Sequence, residues 1–109
     1  MEKFMYLFRG GLNGSPEEMQ ENMQKWLAWV DKLSKQGKYV SGEPLLPGGK
    51  TIAGPKMAIT DGPFIEGKEV IGGFFIVNAK DYAEAVEMAK DCPDYAHGGS
   101  VEVRQVMKF

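Results

Sequence analysis

VIGGFFIVN, Val70 to Asn78, is apolar on both of its alternations. A strand written that way is covered on both faces and belongs inside a sheet rather than at its edge. KFMYLFR, Lys3 to Arg9, has the same character: Phe4, Tyr6 and Phe8 alternate with Met5 and Leu7, and Gly10-Gly11 ends the run. Short length and aromatic content mark it as a strand too. These two runs read as the central strands, and the other elements are placed around them.

Between them, Ser15-Pro16-Glu17-Glu18 is a helix start. Ser15 caps, Pro16 suits the first helical position, and Glu18 completes a capping box. Met19, Met23, Trp26, Leu27, Val30 and Leu33 recur at helical spacing, with Trp29 at the margin of that stripe. Lys35 in the last turn and Gly37 as a left-handed cap end a helix over Pro16 to Gln36. Lys38 to Leu46 begins as a strand, whose end Pro44 and Pro47 push to an edge or a loop. Thr51 to Ala53 and Lys56 to Thr60 are short extended pieces on either side of Gly54-Pro55. After the second apolar strand, Asp81 and Glu84 resemble another capping box. Tyr82, Ala85, Val86 and Ala89 form its stripe, which Cys92-Pro93 ends. Val101 to Met107 alternates as a last strand.

The resulting order is an α+β, ferredoxin-like β-α-β-β-α-β with a short inserted hairpin, as a single domain over 1–109. Two helices cover only one face of such a sheet. Both faces of its central strands are apolar, so the open face calls for a second copy of the chain in a two-fold homodimer.

Composition narrows the function. With 13 basic and 15 acidic side chains and no basic patch, nucleic acid is a poor partner. Cys92 is the only cysteine, which excludes an intramolecular disulfide and reads as an inert, partly buried thiol. One cysteine and one histidine fall short of a zinc site, and no metal is expected. No phosphate-binding glycine loop, nucleophile elbow or paired-histidine motif occurs, so no cofactor is expected. The first residues are too short and interrupted for a signal peptide, and no run reaches the roughly 18 apolar residues of a membrane span. The expectation is a cytoplasmic protein that binds neither membrane nor nucleic acid.

The residues suited to chemistry concentrate in TDGPFIEGKEVIGG, Thr60 to Gly73. Asp61-Gly62-Pro63 has the composition of a turn. Glu66, Lys68 and Glu69 follow it closely. Gly72-Gly73 weakens an apolar strand, which calls for close approach of a ligand, close approach of another backbone, or a β-bulge. His97 is the only side chain whose ordinary pKa lies near neutrality. Paired with Asp61 or Glu69 it makes a general acid-base set, the three forming the candidate catalytic group. Arg104 on the last strand suits an anion. Tyr6, Arg9, Lys68, Gly72 and Gly73 complete the candidate substrate-binding set. Each also has an ordinary structural reading, as turn, solvated charge or packing.

Taken together, these motifs resemble the YCII-related family, in its DGPF subgroup. The resemblance rests on Thr60-Asp61-Gly62-Pro63-Phe64, Lys68-Glu69 and Gly72-Gly73 before an aromatic strand. It continues through Ala85, Ala89, Cys92-Pro93, His97-Gly98 and Val101-Glu102-Val103-Arg104, and Ser15 to Glu18 and Gly42-Glu43 also fit. It implies a dimeric α+β barrel, similar in architecture to small mono-oxygenases, isomerases and chlorite-dismutase-like proteins. It also implies a small-molecule enzyme without a metal, using polar residues in a cleft between sheet and helices. The alternative it implies is a non-catalytic ligand-binding or regulatory module, linked to sigma-factor regulation.

Overall fold

Two strands, β1 (Glu2–Arg9) and β5 (Ile71–Ala79), lie antiparallel at the centre of a four-stranded sheet, as their two-faced apolar character requires. The computed structural model describes residues 1–11, 14–62 and 70–109. β2 (Tyr39–Pro44) flanks β5 and β6 (Ser100–Gln105) flanks β1, giving the order β2-β5-β1-β6. Two further strands, β3 (Lys50–Ala53) and β4 (Ala58–Asp61), form a separate antiparallel hairpin between β2 and β5. The ferredoxin-like topology with its inserted hairpin is therefore the observed one.

Helix α1 (Pro16–Lys35) starts where the sequence says it should. Ser15 accepts from the Glu18 amide, and the Glu18 carboxylate accepts from the Ser15 amide, closing the capping box. The buried face differs from the expected stripe. Asn22, Trp29 and Leu33 are buried, with Trp26 and Val30 packed beside them, whereas Met19, Met23 and Leu27 are exposed. Apolar spacing alone permits either face. The indoles hold the larger apolar area, so the helix turns Trp26 and Trp29 toward the sheet. Trp29 stacks on Tyr6 at 6.1 Å between ring centroids and meets Phe75 at 5.2 Å and Phe8 at 5.9 Å. Trp26 meets Phe8 edge-on at 4.7 Å.

Helix α2 (Tyr82–Ala89) lies on the same side of the sheet and buries Ala85 and Ala89. Asp81 caps it by accepting from the Glu84 amide. The box is not reciprocal: Glu84 instead accepts from the Lys80 amide and pairs with Lys38 at 2.9 Å. A single turn of 3-10 helix (Tyr95–His97) then leads into β6.

Both structural readings of Gly72-Gly73 hold, one at each glycine. Phe8 pairs with Gly73 and Arg9 with Ile71, which leaves Gly72 as the extra residue of a β-bulge. A Cβ on Gly73 would stand 2.9 Å from the Glu43 carbonyl oxygen, so close approach of β2 requires the bare backbone. Among the described residues, no helix is long and apolar enough to cross a membrane.

Candidate functional site

Strand directions bring three connections to one end of the sheet. β1 ends at Arg9, opposite Ser100 at the start of β6, and β2 ends at Pro44, opposite Gly73 near the start of β5. Residues 10–15, the insertion 45–70 and the turn 93–99 therefore leave or enter the sheet at the same rim. Of the expected site residues, Arg9, Asp61, Gly72, Gly73 and His97 belong to this rim or its loops. Lys68 and Glu69 fall in the insertion but lie outside the described residues, as do Pro63, Phe64 and Glu66.

On the helix side, Asp94 organises the rim. One of its carboxylate oxygens accepts from the Asn22 amide at 2.8 Å and the Trp26 indole N–H at 3.2 Å. Its carbonyl accepts from the amides of His97 at 3.0 Å and Gly99 at 2.9 Å. A Cβ at Gly11, whose φ is +114°, would sit 2.7 Å from the other carboxylate oxygen. Only glycine lets the chain leaving β1 pass so close. Asp94 thus joins β1's exit, α1 and the last turn. Beside it is a hollow of about 90 Å³ lined by Glu18, Glu21, Asn22, Lys25 and His97. Asn22 is only 8 % exposed. Its amide nitrogen is committed to Asp94, because a carboxylate can only accept. Among the described residues its carbonyl oxygen has no partner, and neither does the indole nitrogen of Trp29.

On the open face, Glu102 accepts from Arg9 at 3.1 Å and from Arg104 at 3.3 Å. The register puts this cluster beside Met5, Leu7, Phe74 and Ile76, the half-buried apolar residues of that face. Arg9 first, and Arg104 second, hold the Glu102 carboxyl below its usual value of 4.5. Glu102 thus gathers two guanidiniums at one place, donors whose planar geometry suits an acidic oxygen. The shift also gives a stability prediction. A depressed folded-state pKa contributes stability that is present above the unfolded value and lost as pH falls through the folded one. Glu102→Gln should therefore flatten the decline of the urea midpoint below pH 4.5. An unchanged acid slope in the variant would contradict this.

The remaining expected residues are placed apart from these clusters. Tyr6 is fully buried and its hydroxyl donates to the Ala85 carbonyl at 2.5 Å, tying α2 to the sheet. Burial pushes that hydroxyl's pKa well up. Its position is in the core, not on the rim. Asp61 is turned to solvent on β4 and pairs with Lys50. No hydrogen bond or ion pair among the described residues joins Asp61 to His97, which is exposed at the mouth of the hollow. Burial pushes the Cys92 thiol up to about 11, so it is a protonated core residue and a poor nucleophile. Among the described residues, no three His, Cys, Asp or Glu side chains are grouped to hold a metal ion.

Asn22 and Asp94 were not candidates from sequence. Asn22 would stand out once the helix is phased on Trp26, Trp29 and Leu33, as the one polar residue on a buried face. Asp94 carries no comparable local signal, since its partners are distant in sequence.

Comparison with known proteins adds a fold relative and a family. The fold is similar to that of 5-chloro-2-hydroxyhydroquinone dehydrochlorinase (TftG) from Burkholderia phenoliruptrix AC1100, solved in complex with 2,5-dihydroxybenzoquinone. The two are 20% identical with a TM-score of 0.56, over 98% of this chain and 95% of that one. No curated protein matches the sequence. Residues 3–109 match the YCII-related domain, and the chain belongs to that family.

Proposed function

We propose that this chain is a DGPF-subgroup protein that works as a cytoplasmic homodimer, a dimeric α+β barrel. In this reading it binds a small acidic molecule at the loop rim of the sheet and moves a proton on it without a metal. The observation that carries this reading is the Arg9–Glu102–Arg104 cluster on the open face of the sheet, which reaches at Arg9 the rim where three connections converge. Arg9 and Arg104 hold the ligand's acidic oxygen. His97, three residues before the partner of Arg9, stands on the helix side of that rim. A ligand held by the arginines thus reaches over the rim for His97 to exchange the proton, with Glu69 or Asp61 bonding the far side of the imidazole. The lone, buried Cys92 thiol suits a reducing compartment.

Surface area supports the dimer. The chain exposes 7797 Å², whereas a compact monomer of 12.1 kDa exposes about 6,000 Å². The excess of roughly 1,800 Å² is in the range that one subunit of a permanent homodimer buries. A non-catalytic ligand-binding or regulatory module, linked to sigma-factor control, is the second reading. The solvent-facing position of Asp61, away from any bond to His97, favours it.

The ligand of the dehydrochlorinase is an acidic dihydroxyquinone, the anion class that two arginines accept, so it serves as the probe. Titration with 2,5-dihydroxybenzoquinone should show binding that Arg104→Gln weakens by about tenfold or more. Release of HCl from 5-chloro-2-hydroxyhydroquinone, or exchange of ligand hydrogens with D2O, should fall about a hundredfold or more in His97→Gln. Binding without turnover would leave the module reading in force. Absence of binding would remove the acidic-ligand reading.

A further inference from the structure

Among the described residues, the β3–β4 hairpin pairs with no other strand and contributes nothing to the core. Its strands pair only with each other, in a sheet separate from the main one. None of its side chains belongs to the core cluster. A two-stranded hairpin alone in water is marginal at best. Yet one face of this one carries an isoleucine pair beside an ion pair, both open to solvent. The register pairs Ile52 with Ile59 and Lys50 with Asp61, and alternation puts all four on that face. Ile52 is 64 % exposed and Ile59 67 %. At the tip, Met57 is 71 % exposed and held at φ +53°, the only residue other than glycine with a positive φ among those described. A bulky side chain in that region of backbone space is strained, and here the strain displays an apolar group to solvent.

The radius of gyration agrees: it is 15.4 Å, against about 13 Å for a compact chain of this length. The hairpin thus lies outside the core and carries an exposed isoleucine pair, Ile52 and Ile59. A second apolar surface, the sheet face of Met5, Leu7, Phe74 and Ile76, is only half-buried and carries no helix among the described residues. A two-fold axis covers both kinds of surface with no third component, because each copy supplies what the other lacks.

We infer that the β3–β4 hairpin is an exchanged arm, whose Ile52–Ile59 face seats on a second copy of the chain and carries Asp61 onto that copy. The inference rests on the homodimer proposed above. On this face the Lys50–Asp61 ion pair lies beside the two isoleucines, so the arm brings Asp61 against the partner with them. Each site is then built from both copies, with the rim from one and Asp61 from the other.

The test mixes chains grown in 14N and 15N media. The chains carry Ile52→Cys labelled with a benzophenone maleimide, Cys92 being buried. After equilibration and irradiation, cross-linked peptides are identified by mass spectrometry, and unmodified protein is sized by light scattering. The expected result is a dimer in which the label at position 52 links 14N peptides to 15N peptides. A dimer whose hairpin yields only same-isotope links, or none, overturns the exchanged arm and leaves the dimer standing. A monomer at micromolar concentration overturns both. Independently, Ile52→Lys with Ile59→Lys should raise the dimer dissociation constant by about tenfold or more. Because the hairpin lies outside the core, the double variant should keep the wild-type circular dichroism spectrum. An unchanged dissociation constant would count against the arm.

Discussion

Trp29→Ala should lower the free energy of unfolding by about 3–5 kcal/mol, as measured by urea denaturation. Trp29 is 4 % exposed and packs against Tyr6, Phe8, Trp26 and Phe75. Truncation therefore leaves a cavity between α1 and both central strands. Domains of this size are stable by only about 5–15 kcal/mol, so the variant should be near its folding limit. Trp29→Phe separates packing from polarity. It keeps one aromatic ring against the sheet and removes a buried N–H that has no partner among the described residues. Burial of an unsatisfied donor costs about 1–3 kcal/mol, which offsets part of the lost ring. The phenylalanine variant should thus lose less than about 2 kcal/mol. If it were as damaging as alanine, the indole N–H would have to be bonded in solution.

The way Trp29 is buried also shows how far the sequence could be read. Element order, the central position of β1 and β5 and the helix starts follow from local signals: two-faced apolar runs, Ser15 with Glu18, and Pro and Gly punctuation. These are short-range effects, visible wherever the residues stand together in the chain. The phase of α1 is not of that kind. Two apolar stripes share the helix, and the choice between them depends on the shape of the sheet that receives it. Gly73 is similar. Its strand weakness was visible, but the β2 carbonyl that requires it comes from Glu43, far away in sequence.

The rim was legible in the same uneven way. Arg9 and Arg104 could be noticed as arginines on strands, yet only the β1–β6 register brings both to Glu102. Asp61 and His97 were chosen by residue type. Type alone cannot place a carboxylate on a projecting hairpin or an imidazole at the mouth of a hollow. Tyr6 was placed in the substrate-binding set, whereas its ring belongs to the core and its hydroxyl donates to Ala85. A polar atom on an apolar strand is thus ambiguous until its partner is known.

Asp94→Ala should cost about 3 kcal/mol and disturb the rim as well. The substitution removes the acceptor shared by Asn22 and Trp26. Asn22, 8 % exposed and with its oxygen unpaired among the described residues, would then have neither end of its amide bonded. An unsatisfied buried group is expensive, and a lost bond to a charged acceptor is costly too. The backbone bonds from His97 and Gly99 go to the Asp94 carbonyl, so the turn itself should persist. What it loses is its anchor on α1, and with it the position of His97 over the hollow. Asp94→Asn keeps an oxygen able to accept from both donors, so it should cost only about 1 kcal/mol. Urea denaturation gives the stabilities. Amide hydrogen exchange across 94–99 gives the second readout, with faster exchange expected at Gly99 in the alanine variant and little change in the asparagine one. Equal losses in both variants would mean that the negative charge, rather than the acceptor geometry, holds α1 to the turn.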